Sequence, residues 1–76
     1  MFSEFERVAL TVDLPDYALQ TGDMGMVVHL YPDHKGYEVE FVTVTGELIA
    51  MVSVYPTQIR SLEQNEIASA RRVKSA

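Results

Sequence analysis

Apolar and polar residues alternate in short runs separated by closely spaced turn formers. The punctuation falls at Asp13-Leu14-Pro15-Asp16, Gly22-Asp23, Pro32-Asp33-His34-Lys35-Gly36, Thr45-Gly46-Glu47 and Tyr55-Pro56-Thr57. The intervening runs are too short for ordinary helices and suit strands. In the first run, Arg7 to Val12, Val8, Leu10 and Val12 share one side, and Arg7, Ala9 and Thr11 the other, which is the period of a half-buried strand. In the third, Tyr37, Val39 and Phe41 point inward while Glu38 and Glu40 point to water. The loop before it, Pro32 to Gly36, reads as a longer hairpin connection.

Two runs break simple parity. Between Met24 and Tyr31, Val27, Val28, Leu30 and Tyr31 cannot share a face without an extra residue, so a bulge is expected at Val27 or Val28. The fourth run, Leu48 to Val54, is apolar on both sides. With Ala50, Val52 and Val54 inward, Ile49 and Met51 face outward. Pro56 stops that strand, Tyr55 to Gln58 fits one tight helical turn, and Ile59 to Leu62 fits a closing edge strand. The expectation is therefore all-β: a small, strongly bent, five-stranded antiparallel barrel of the Src-homology-3 type over residues 1–62. A polar C-terminal tail, residues 63–76, follows, with scope for a helical turn or two around Glu66 to Arg72. The competing architecture is a small open sheet covered by that tail as a helix.

The order Leu14-Pro15, Gly22-Asp23-Met24-Gly25-Met26-Val27-Val28, Tyr31-Pro32-Asp33, Tyr37-Glu38-Val39-Glu40-Phe41 and Gln58-Ile59-Arg60-Ser61-Leu62 resembles an uncharacterised bacterial family of short proteins. That family is numbered 4926 among the domains of unknown function, and the likeness spans about residues 5 to 62. The Gly-Asp-x-Gly-x-Val element is similar to one found across Src-homology-3-like barrels, including ribosomal and transcription-factor modules and the barrel of nitrile hydratase subunits and activators. The resemblance implies a fold and supplies no catalytic residue. It also implies a small free-standing protein often encoded beside another, in the manner of toxin–antitoxin or effector–immunity pairs. This chain departs from it in placing Met26 and Met51 at outward positions.

Charge narrows the partners. The chain of 76 residues carries 6 Lys+Arg against 11 Asp+Glu, a formal net charge of -5, which repels nucleic-acid phosphate and anionic lipid over most of its surface. The acids concentrate in the barrel segment, where Glu38 and Glu40 form a stripe joined by Asp13, Asp16, Asp23 and Asp33 in loops. A basic protein partner, or a second copy meeting the apolar positions, fits better than nucleic acid. There is no Cys, so neither a disulfide nor a thiolate metal site can supplement the core. No basic-then-apolar leader and no long apolar run occurs, so the chain is read as cytoplasmic and without a membrane span.

Candidate chemistry is thin. Gly22-Asp23-Met24-Gly25 suits a phosphate cradle in its glycines, but no Lys or Ser/Thr follows to bind phosphate or its metal, and a turn entering a strand accounts for it. His29 and His34 with Asp33 lack metal-ligand spacing, so no metal or other cofactor is expected. Ser3, Thr43, Ser53 and Thr57 sit in nothing resembling a nucleophile elbow, and a domain this small has no deep cleft to exclude water, so no enzyme activity is expected. Glu38 and Glu40 stand about 7 Å apart on one strand face and read as solvated rather than as an acid–base pair. Arg71, Arg72 and Lys74 form the one basic cluster, able to touch nucleic acid but expected instead to be a solvated end or to dock on the molecule's own acidic surface or a neighbour's. Met26, Ile49 and Met51, with Glu38 and Glu40, are the residues expected to meet a partner, because one small interior cannot hold every apolar side chain.

Overall fold

The computed structural model describes residues 1–73, so Lys74 of the predicted tail cluster lies outside the described residues. Five strands, β1 (Arg7–Leu10), β2 (Met24–Leu30), β3 (Tyr37–Val42), β4 (Leu48–Val54) and β5 (Ile59–Ser61), form one antiparallel sheet in the order β4-β3-β2-β1-β5. Single 3-10 turns at Pro15–Tyr17, Pro32–His34 and Pro56–Gln58 join them, each opened by a proline that presets φ and lacks the N–H a first turn leaves unpaired. β4 and β5 do not pair, so the all-β meander is an open, bent sheet and the word barrel applies only loosely. The described part of the tail carries no helix, and it lacks the apolar stripe that would make one worth packing.

The inner face follows the alternation. Val8 and Leu10 of β1, Val27 of β2, Tyr37, Val39 and Phe41 of β3, Val52 and Val54 of β4 and Ile59 of β5 make one buried cluster. The loop between β1 and β2 turns back through a Leu14–Leu19 bridge and drops Leu19 into the same core. Phe2 closes one end, its ring and that of Tyr37 meeting in a T-shaped pair with centroids 5.2 Å apart at 89°.

Two irregularities bend the sheet. The register with β3 shifts between Val27 and His29, leaving Val28 as the extra residue of β2, where the mixed parity placed a bulge. Gly25 lies so close to β3 that a Cβ there would stand 2.6 Å from Val39 Cγ1, 2.8 Å from Phe41 Cε1 and 3.0 Å from the Glu40 carbonyl oxygen. The glycine therefore lets β2 fold across the core, while Gly22 supplies the φ of +92° that its turn needs.

Candidate functional site

Register places one row of outward residues across four strands: Arg7 opposite Met26, Met26 opposite Glu40, and Glu40 opposite Met51. One step along the strands lie Met24 and Val42, and Leu48 pairs with Val42. Arg7, Met24, Met26, Glu40, Val42 and Val44 line a shallow groove between this face and the β3–β4 turn. Met24, Val42, Leu48 and Met51 retain 39%, 47%, 59% and 48% of their surface, and Val44 is fully exposed. Isolated apolar residues at a surface are unremarkable, but this group is contiguous and spans three strands.

Of the residues expected to meet a partner, Met26, Met51 and Glu40 come together in this row. Ile49 does not. The β3–β4 register shifts so that Ala50 faces Phe41 and Leu48 faces Val42, making Ile49 the extra residue of a second bulge. It is half-buried and packs against the core, and Leu48 takes the outward place. Val42, Val44 and Leu48 were not singled out from the sequence, although carrying the β3 alternation one residue past Phe41 puts Val42 beside Glu40.

The two glutamates of the stripe differ. Glu38 lies in a polar patch, where its Oε2 accepts from the Tyr31 hydroxyl at 2.5 Å and from Ser53 Oγ at 2.9 Å, while the His29 and Tyr31 rings meet edge to face. Glu40 lies amid Met26, Val42 and Met51 and makes no salt bridge among the described residues. Much of the loop acidity is answered internally. Asp13 accepts from the Thr21 backbone N–H and hydroxyl, which hold its carboxyl below its ordinary range. Burial pushes Asp23 up, but Arg71 and the Gln20 N–H outweigh it, so its carboxyl also sits low.

The tail is not simply solvated. Arg71 forms an ion pair with Asp23, its Nε donating to Oδ1 at 2.9 Å, and also donates to the Ala18 carbonyl at 2.9 Å. Arg60 of β5 grips Glu66 with two hydrogen bonds of 2.6 and 2.9 Å; with the Glu63 N–H, this draws the Glu66 carboxyl down to about 2. Arg72 makes no salt bridge among the described residues.

Among the described residues, no three His, Asp or Glu side chains converge in a way that would hold a metal. His29 lies on the outer face, and His34 Nδ1 is 3.5 Å from the Tyr37 hydroxyl. Among the described residues, no helix is long and apolar enough to cross a membrane. The family model described as a domain of unknown function (DUF4926) matches residues 4–61, most of the chain. No curated protein and no solved structure matches it significantly.

Proposed function

The chain belongs to the domain-of-unknown-function family DUF4926, and from that premise we propose that it is a non-catalytic protein-binding module. The single observation that carries this reading is the contiguous apolar group Met24, Met26, Val42, Leu48 and Met51 around Glu40 on the outward side of the sheet. Each Å² of apolar surface left in water forgoes about 25 cal/mol, and a partner recovers it by covering that face. A fitting partner is apolar at its centre, with a cation that reaches Glu40 and a basic rim that complements a body of net charge -5. Such a module acts by occupying another protein's surface, as an antitoxin, an immunity protein or an assembly factor does to the product of a neighbouring gene in the cytoplasm.

The nucleic-acid reading ranks second. Arg71 and Arg60, two of the few cations, are already engaged by Asp23 and Glu66. That reading requires affinity falling steeply with salt and dependent on Arg71 and Arg72.

Co-expression with each neighbouring gene product, followed by calorimetry on the purified pair, tests the proposal. A complex weakened at least ten-fold by Val42→Glu, with the variant's melting unchanged, supports it. Binding indifferent to Val42→Glu and Met51→Glu, but lost with Arg71→Ala and high salt, contradicts it.

A further inference from the structure

The sheet has a second unsatisfied surface, the free edge of β4, distinct from its outward face. The hydrogen-bond phase of β3 is set by its flanks. The Tyr31 N–H donates to the Gly36 carbonyl at 3.1 Å, and the Thr43 N–H donates to the Glu47 carbonyl at 2.8 Å. Antiparallel pairs alternate, so Glu38 and Glu40 direct their backbone groups at β2, whereas Tyr37, Val39 and Phe41 direct theirs at Val54, Val52 and Ala50 of β4. Met51 and Ser53 then point N–H and C=O away from the sheet. Among the described residues, no other backbone segment bonds to them.

Natural edges of this length are usually guarded by a charge, a lysine or a proline. Leu48-Ile49-Ala50-Met51-Val52-Ser53-Val54 has none, and the bulge at Ile49 interrupts only its first turn-proximal residues. We infer that β4 is a docking edge for a second copy of this chain, which adds its own β4 antiparallel about a two-fold axis at Val52.

Four features favour a second copy over another extended chain. Met51 and Ser53 are two residues apart, so about Val52 they are self-complementary: Met51 of each copy exchanges both backbone bonds with Ser53 of the other, four in all. In that register the Leu48 end of β4, beyond the bulge at Ile49, runs alongside Tyr55 of the second copy. Two of the most exposed apolar side chains, at 59% and 70%, thereby cover each other. The 3-10 turn that opens at Pro56 ends the ladder. The pairing strand is uncharged, and the nearest acids, on β3 of each copy, stand about 14 Å apart across three strand spacings. That exceeds a screening length of about 8 Å, so two acidic chains meet without appreciable repulsion.

This association takes the edge of β4 and shares Leu48 and Met51 with the face of the proposed function, while Met24 and Val42, on β2 and β3, belong to the face alone and separate the two. Sedimentation equilibrium of the purified full chain should give a dimer that dissociates on dilution. Amide hydrogen exchange followed over the same concentrations should slow at Met51 and Ser53 by ten-fold or more as the dimer fills, with Val52 protected throughout. Ser53→Lys should weaken self-association at least ten-fold, and Val42→Glu should leave it unchanged. A chain monomeric to millimolar concentration, a dimer whose Met51 and Ser53 amides exchange as in the monomer, or a dimer abolished by Val42→Glu overturns the inference. A chain that stays monomeric yet binds a neighbour's product through Val42 overturns it while leaving the proposed function standing.

Discussion

The two edges of the sheet are finished in opposite ways. β5 is three residues long, carries Arg60, and is flanked by the tail: Arg60 holds Glu66, Ser61 Oγ donates to Glu6 at 2.8 Å, and Arg71 fastens the chain farther on to Asp23. β4 is seven residues long, uncharged and without a backbone partner on its far side among the described residues. A bare edge and a bare apolar face on the same strand are a hazard in a monomer and an asset in an association module. The contrast indicates that the protective charges serve one side of the molecule and leave the other available for contact.

The largest effects come from within β4 and its neighbour β3, where adjacent residues should behave oppositely. Phe41→Ala should cost about 3–5 kcal/mol in chemical denaturation, and Val52→Asp should unfold the domain, because both side chains are buried. Met51→Glu and Ser53→Lys, outward on the same strand, should leave the melt of the monomer at high dilution within about 0.5 kcal/mol. If the outward pair proved the costlier, the strand would be shifted by one residue. Gly25→Ala comes next, at about 1–3 kcal/mol, as the added methyl group meets Val39, Phe41 and the Glu40 carbonyl.

On the guarded side, Arg71→Ala should cost less than about 1 kcal/mol, since the pair is partly exposed and screened. Its signature is pH dependence. Asp23 has a lowered pKa in the folded chain, so its stabilising contribution is complete above the ordinary value of 3.8 and is lost as pH falls through the folded value. Glu66 follows the same sign, ordinary at 4.5 and falling to about 2. Acid titration should therefore release the tail before the core melts, and Arg71→Ala should move the step attributable to Asp23 to higher pH, the Gln20 N–H remaining as a partner. An unchanged titration would separate the tail from Asp23.

The strands were legible wherever one face was buried and the other wet. β3 reads directly from Tyr37-Glu38-Val39-Glu40-Phe41, and the bulge in β2 follows from two adjacent valines. β4 was only half legible, because a strand apolar on both sides carries no parity to reveal the bulge that turns Ile49 inward. Ala9, outward by alternation, is buried between its cross-strand neighbours Met24 and Arg60, whose longer side chains flank it. Val12, inward by alternation, is exposed because β1 ends at Leu10 and Thr11 bonds instead to Gln58 and Thr57. Leu19 filling the core and Arg71 closing on Asp23 are tertiary events, which local periodicity cannot announce.

A hydrogen-exchange footprint of the complex with a neighbouring gene's product would locate the partner on the outward side of β2, β3 and β4 or elsewhere. New protection is expected at Met24 to Met26 and at Val42 to Leu48, with the Pro15–Tyr17 turn and residues 63–73 unchanged. Protection confined to that turn and the tail, with the apolar face exchanging as in the free chain, would contradict that placement.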